Sequence, residues 1–392
     1  MASFLDKAAL AVEELSKCSR CGRCQAVCPV YLATGDERLV ARGKLALVQA
    51  AREGTLEPTG AFVDTVSRCL LCGACRSFCA RGVPTDRLIQ QVRAAAAETL
   101  GLPRLYSLLF AGLASPKVLG LASRTGHLLQ ALAGVIPGTP LSLLPWVGKY
   151  AAHLRLAARP FLAEKLPQGG GPPAIGLFVG CGANYLWPEA ARASLNLLEA
   201  AGVRVVVPPA QVCCGLPAAG AGDSASAAEL ARRNAAAFEG LSAVVALCAS
   251  CAYRLRQGSG LPEVRLLPEL LTSLTLRPGG RRLRVAYHAP CHVRFEAPGQ
   301  GPLTRLLGAL PQVELLPVEE ACCGSGGLFG LSHPELSQRI LRERLRGLLA
   351  LRPEVIATDC SGCLIQLRTG LAELGQSIPV VHPAQVLGGL EA

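Results

Sequence analysis

Cys213-Cys214-Gly215 and Cys322-Cys323-Gly324 are two copies of one tripeptide, each inside a set of five cysteines. The first set is Cys181, Cys213, Cys214 and the pair Cys248-Ala-Ser-Cys251; the second is Cys291, Cys322, Cys323 and the pair Cys360-Ser-Gly-Cys363. Matching members lie 110, 109 and 112 residues apart, the mark of a duplicated unit that holds something. Within each copy, apolar runs alternate with helical stretches. The runs Ala174–Val179, Val203–Val207 and Ala243–Leu247 read as strands, with helices at Glu189–Ala201 and Ser224–Phe238. The second copy repeats them at Arg284–Tyr287, Val313–Leu316 and Val355–Ala357, with a helix at Pro334–Leu351. Alternation of this kind predicts a parallel sheet in each half. All the cysteine groups then fall beyond the carboxyl ends of strands, where such sheets bind ligands. Helix N-termini there offer N–H groups and positive dipole ends to an anion. Gly215 and Gly324-Ser-Gly-Gly327 allow the backbone a close approach. Gly324-x-Gly326 follows a cysteine pair and lacks the full nucleotide-binding spacing, so it is discounted.

Nearer the N-terminus stands Cys18-x2-Cys21-x2-Cys24-x3-Cys28-Pro29, and the spacing returns at Cys69-x2-Cys72-x2-Cys75-x3-Cys79. This is the bacterial ferredoxin run, in which three cysteines hold one cluster and the fourth reaches the other. One cluster is therefore assigned to Cys18, Cys21, Cys24 and Cys79, and the other to Cys69, Cys72, Cys75 and Cys28. Two zinc sites would need four ligands each, typically as paired CxxC, and would leave the third and fourth intervals unexplained. The second run continues Cys79-Ala80-Arg81 and lacks the usual proline, which shapes a turn and ligates nothing. Forty residues separate the runs, including a helix near Gly43–Arg52, so this domain is expected to be largely helical.

Composition narrows the classes. The chain has 392 residues and is 51% hydrophobic, which supports two or three cored domains. Its N-terminus, Met-Ala-Ser-Phe-Leu-Asp-Lys, shows no basic region followed by an apolar one, so eighteen cysteines in an unexported chain read as metal or cluster ligands and not disulfides. The net charge of +11 is carried by scattered arginines, and aromatics are only 4%, so no stacking basic stripe points to nucleic acid.

Residues 4–17 and most of 86–165 read as helical. The stretch Leu128–Gly148 is uncharged and long enough to raise the question of a membrane span. Pro137, Gly138, Pro140 and Pro145 would break it, so a packed connector or docking surface is expected, with at most a peripheral membrane contact. Leu166–Pro173 is a linker by composition. The fold class is thus α+β and multidomain: a mainly α-helical two-cluster ferredoxin-type domain (1–100), a helical connector (101–168), and a duplicated α/β unit with parallel sheets, its cysteine-rich domains at 174–260 and 282–390.

Adjacent cysteines diverge, so Cys213–Cys214 and Cys322–Cys323 suit a multi-iron cluster better than one ion, and thiolates are the soft ligands such clusters take. A redox-active vicinal disulfide, or cysteines partly retired from ligation, is the other reading of these pairs. His288 and His292 flank Cys291 and are expected to support ligands and not to ligate. Asp359 either tunes the site or closes a turn; His127, His153, His333 and His382 have no supporting context.

Two ferredoxin runs followed by two Cys…Cys-Cys-Gly…Cys-x2-Cys repeats resemble the iron–sulfur subunit family that includes the glycolate oxidase iron–sulfur subunit. The same family holds one of the subunits of anaerobic glycerol-3-phosphate dehydrogenase and the catalytic subunit of membrane-bound heterodisulfide reductase. The resemblance covers essentially the whole chain. Cys28-Pro-Val-Tyr31, Thr34-Gly-Asp-Glu37, Arg42-Gly43-Lys44 and Cys322-Cys-Gly-Ser-Gly-Gly327 look most like the glycolate oxidase branch. It implies two [4Fe-4S] clusters on Cys18–Cys28 and Cys69–Cys79, and further, non-cubane clusters on the duplicated sets. It also implies an FAD-dependent partner that oxidises a 2-hydroxy acid such as glycolate or D-lactate, a quinone or other acceptor, and a cytoplasmic place, at most peripheral on the inner face of the cytoplasmic membrane. One departure stands out. In that branch the last CxxC elements are often incomplete, whereas Cys248/Cys251 and Cys360/Cys363 are complete, as in disulfide-reducing relatives where such a cluster is itself catalytic.

Overall fold

The computed structural model describes residues 12–133, 154–167, 174–258, 260–271, 282–295 and 301–389. Residues 174–389 are built on two parallel sheets. The first has the order β2-β1-β3-β4, from β1 (Ile175–Phe178), β2 (Val205–Val206), β3 (Ala243–Ala246) and β4 (Glu263–Leu266). The second has the order β6-β5-β7-β8, from β5 (Leu283–Tyr287), β6 (Val313–Leu315), β7 (Val355–Ala357) and β8 (Val380–Val381). Every pairing is parallel; Ile175 lies opposite Ala243 in one sheet and Val285 opposite Val355 in the other. The central strands β3 and β7 are buried along their whole length and apolar on both faces, because helices cover both sides.

Six strands were expected from the sequence, and β4 and β8 are additions. β4 alternates exposed and buried residues at the sheet edge, and β8 is two residues long after Pro379, so neither shows a sustained apolar run. Leu177 and Val245 of the first sheet pack in one apolar cluster with Val285 and Ile356 of the second, so the repeats share a core. Truncating Leu198 or Leu367 in that core to Ala would cost about 2–5 kcal/mol.

The ferredoxin-type part packs helices Ala41–Arg52, Gly60–Ser67 and Thr85–Leu100 around Leu45, Val48, Phe62, Val66, Ile89 and Val92. It is tied to both repeats. Arg93 donates to the carbonyls of Ser67 and Cys69 at 2.6 Å and to Gly220 of the first repeat at 2.9 Å. Gly222 sits at φ +95°, and a Cβ there would lie 2.4 Å from the Arg93 carbonyl, so only glycine allows this approach. Toward the second repeat, Val30, Leu39 and Leu70 pack with Phe329 and Ile340, and His333 Nε2 lies 2.8 Å from Ser67 Oγ.

Of the N-terminal helix, Val12–Ser16 is described. The connector comprises helices Arg104–Leu113 and Pro116–Ala133, Pro103 and Pro116 each marking a start where a missing N–H costs nothing. Most of the uncharged stretch Leu128–Gly148, and residues 168–173 of the linker, lie outside the described residues. No single helix among the described residues is long and apolar enough to cross a membrane; the two connector helices pass together by length and composition but meet at 95°.

Candidate iron–sulfur centres

Both N-terminal cysteine runs wrap with the same backbone. Between the first and second cysteines a non-glycine residue takes positive φ, Arg20 at 57° and Leu71 at 52°; between the second and third a glycine does, Gly22 at 86° and Gly73 at 78°. A left-handed non-glycine residue costs on the order of 1–3 kcal/mol and persists where the loop must close round something. Cys28 leaves its own run and joins Cys69, Cys72 and Cys75 around one partly open pocket. Burial pushes the Cys72 and Cys75 thiols well up, so they become thiolates only against a compensating positive charge. Lys44, buried on the same wall, brings an ammonium within reach of Cys69 and Cys28. The other set lies nearer the surface: Cys18 and Cys24 are within electrostatic reach of each other, Cys18 and Cys79 pack on one apolar cluster, and Cys21 is exposed.

None of the eighteen cysteines is joined in a disulfide. The duplicated sets follow the strand ends, Cys181 after β1, Cys248 after β3, Cys291 after β5 and Cys360 after β7. Cys248 and Cys360 each stand at the first position before the following helix, and the Ser361 N–H donates to Cys248 Sγ of the other repeat at 3.3 Å. The two sets therefore face each other. Their thiols form one contact chain: Cys181 to Cys213, Cys214, Cys251 and Cys248, then across to Cys360, Cys363, Cys323 and Cys322. Cys323 and Cys363 are 3.1 Å apart. In each repeat neighbouring thiols push the pKa of the second cysteine of the vicinal pair down, Cys213 and Cys251 that of Cys214, Cys322 and Cys363 that of Cys323. Soft donors packed this densely match the ligand demand of a multi-iron cluster. Beyond Cys322 the path continues, because Cys72 lies within electrostatic reach of Cys291 and Cys322, and Cys28, Cys72 and Cys322 pack on one small apolar cluster.

The linings of the two sets differ. Taking Cys181 with Cys291 pairs Phe178 with His288 and Leu177 with Tyr287; taking Cys248 with Cys360 pairs Leu247 with Asp359. The glycines after the vicinal pairs pack on Leu230 and Ile340 respectively, which pairs Asn234 with Arg344. In the second repeat Arg344 Nε donates to His288 Nδ1 at 2.9 Å and its Nη1 to the Glu319 carbonyl at 2.7 Å. That leaves the Nε2 proton of His288 for Cys323, and His288, Cys323 and Cys363 bring their ligand atoms within 4.8 Å. Tyr287 donates to Asp359 Oδ1 at 2.9 Å, while burial raises the Asp359 carboxyl to about 7. Apolar Phe178, Leu177 and Leu247 stand at those places in the first repeat. Asn234 there binds only backbone, Val212 N–H and the Cys213 carbonyl.

A profile for the cysteine-rich domain, known by its CCG motif, matches residues 175–256 and 285–368, and one for the 4Fe-4S dicluster domain matches 14–83. The probable glycolate oxidase iron–sulfur subunit of Bacillus subtilis is 28% identical over 95% of this chain and 93% of its own. Lactate utilization protein A of Geobacillus kaustophilus is 32% identical over 54% of this chain and 98% of its own. The chain belongs to the glycolate oxidase iron–sulfur subunit family. One of the subunits of the CoM/CoB fumarate reductase of Methanothermobacter marburgensis is also similar, 29% identical over 51% of this chain and 43% of that one. Like the family, the chain carries a pair of [4Fe-4S] clusters, and the relatives that name its branch are subunits of an oxidoreductase.

Several groups at these family sites gave no sequence signal of their own. Arg344 lies between charged neighbours on an amphipathic helix, and Tyr287 reads as an ordinary strand residue. Ser250 Oγ lies 3.1 Å from Cys360 and 2.8 Å from His292 Nδ1, so His292 reaches the thiols through a serine. His382 is buried with Nε2 at 2.8 Å from the Leu247 carbonyl, a structural contact, and His127 likewise meets the Leu156 carbonyl at 2.9 Å. His153 lies outside the described residues.

Proposed function

We propose that the protein is the electron-transfer subunit of a flavin-dependent 2-hydroxy-acid oxidase or dehydrogenase, with glycolate or D-lactate oxidised on a partner flavoprotein. Cys18, Cys21, Cys24 and Cys79 hold one [4Fe-4S] cluster and Cys69, Cys72, Cys75 and Cys28 the other. The sets Cys181–Cys251 and Cys291–Cys363 hold further, non-cubane clusters. Bound clusters supply one-electron carriers. What the chain's own residues supply is the order of the cages, and that order is the observation behind the proposal. From Cys72 through Cys322 to Cys181 consecutive sets are in contact or electrostatic reach, and the set with the exposed Cys21 shares an apolar cluster with Cys69 through Cys18 and Cys79. The acceptor beyond is a quinone or another oxidant. The test mixes the anaerobically purified protein with its flavoprotein and adds glycolate or lactate. Bleaching of the visible iron–sulfur absorption is expected; absorption that stays unchanged while the flavin is reduced refutes the reading.

A heterodisulfide-reductase-like activity is the second reading. It is favoured by the two complete CxxC pairs meeting at Cys248 and Cys360. Turnover of a mixed disulfide by the reduced protein would select it over a relay role.

A further inference from the structure

The connector helices present two unlike sides. The inner side is anchored: Phe110 is buried, Ser123 Oγ donates to the Ala157 carbonyl at 2.7 Å, and Tyr106 Oη lies 2.5 Å from Ser332 Oγ. The outer side carries Leu105 at 72% exposure, Leu108 at 71%, Val118 at 54%, Leu121 at 66%, Leu128 at 62% and Leu129 at 51%. One exposed leucine needs no explanation, but six on two adjoining helices make a patch. Val118, Leu121 and Leu128 recur at helical spacing on one face. Arg104, Lys117 and Arg124 are interspersed among them, and the sequence holds no Asp or Glu between Glu98 and Glu164.

We infer that this face docks the protein on an anionic lipid surface, lying in the headgroup region and not crossing it. Leucines flanked by Lys and Arg, without a carboxylate to repel lipid phosphates, are the composition of an interfacial helix. The 95° break between the helices rules out a straight span and suits a surface-lying pair. Directly behind, Leu113, Pro116 and Leu119 of the same helices form one wall of a partly open pocket, and Cys181 and Cys213 line it too. The far end of the thiol path is thus one helix away from the docking face. This places a lipid-soluble acceptor, a quinone, in reach of the first repeat, and in that respect the inference rests on the electron-transfer reading.

The test is flotation of the cluster-loaded chain with vesicles of phosphatidylcholine alone or mixed with phosphatidylglycerol, at low and high salt. Binding at least about tenfold stronger with phosphatidylglycerol, and weakened by salt, is expected. Leu105→Glu/Leu121→Glu should abolish it, and Lys117→Gln/Arg124→Gln should remove the lipid preference; Leu374→Glu, an exposed leucine far along the chain, should change nothing. Iron content reports whether each variant is folded, and the charge variant decides the matter should the leucine variant lose iron. Wild-type protein that does not float, floats equally on both vesicles, or uses this face to bind the flavoprotein instead, overturns the inference. Flotation needs neither flavoprotein nor hydroxy acid, so its failure leaves the electron-transfer reading standing, and failed bleaching leaves a positive flotation intact.

Discussion

The two cysteine-rich repeats have the same strands, the same cage and different walls. Five thiols per repeat stand on matching strand ends, yet Phe178, Leu177, Leu247 and Asn234 of the first occupy the places of His288, Tyr287, Asp359 and Arg344 of the second. Cage geometry follows from the backbone and survives duplication. Electrostatics follow from the lining, and there the copies have diverged. Cluster potentials respond to hydrogen bonds at sulfur and to local polarity. Two centres of one design can thus hold different potentials 110 residues apart in sequence and in contact in space.

The harshest way to break the comparison is to remove the second cysteine of each vicinal pair. Cys214→Ala and Cys323→Ala should each cost one centre's full iron complement while the signals of the ferredoxin-type pair persist. Iron and sulfide analysis on anaerobically prepared protein checks this. Unchanged iron in either variant would mean that the thiolate there is not a ligand, and the equivalence of the cages would fall with it.

A finer test converts the second lining into the first. His288→Phe removes the N–H that faces Cys323 and strands Arg344 Nε without its acceptor. A hydrogen bond at sulfur favours the more negative, reduced form by about 1 kcal/mol, which for one electron corresponds to roughly 40 mV. His288→Phe should therefore lower one midpoint in a redox titration followed by paramagnetic resonance, and His288→Phe/Arg344→Asn should lower the same one. Phe178→Leu in the first repeat should move none. A shift of both centres, or of neither, would show that the lining does not separate them.

Much of this architecture was legible beforehand because cysteine spacing is a covalent ruler. The ferredoxin runs, the duplication and six of eight strands all leave local marks. The walls left none. Arg344 sits among Arg342, Glu343 and Arg346, where a helical charge run reads as solvent-facing, and only folding turns that one side chain inward to 4% exposure. The approach of Cys248 to Cys360 is likewise tertiary. Aligning the repeats residue by residue, and not only cysteine by cysteine, would have exposed Phe178 against His288, since an apolar residue matched to a titratable one is a visible difference.

The mildest contrast lies at a helix start. Asp223 caps Ser224–Ala237 by accepting from the Ser226 N–H at 2.9 Å, while its counterpart His333, heading Pro334–Ala350, makes no side-chain cap and reaches Ser67 of the ferredoxin-type part. The second repeat has thus exchanged a local cap, worth about 1 kcal/mol, for a tether between domains. Burial holds the His333 pKa below the ordinary 6.5, so the folded protein binds this proton less readily than the unfolded chain. Stability is then full above about 6.5 and falls as pH drops from there toward the lowered folded value. His333→Asp should restore the cap, lose the tether, and remove that part of the slope in thermal midpoints measured on cluster-loaded protein between pH about 7.5 and 5.5. A slope that persists in His333→Asp would place the titration elsewhere and leave His333 as a neutral spacer, and the two helix starts would then differ in sequence without differing in role.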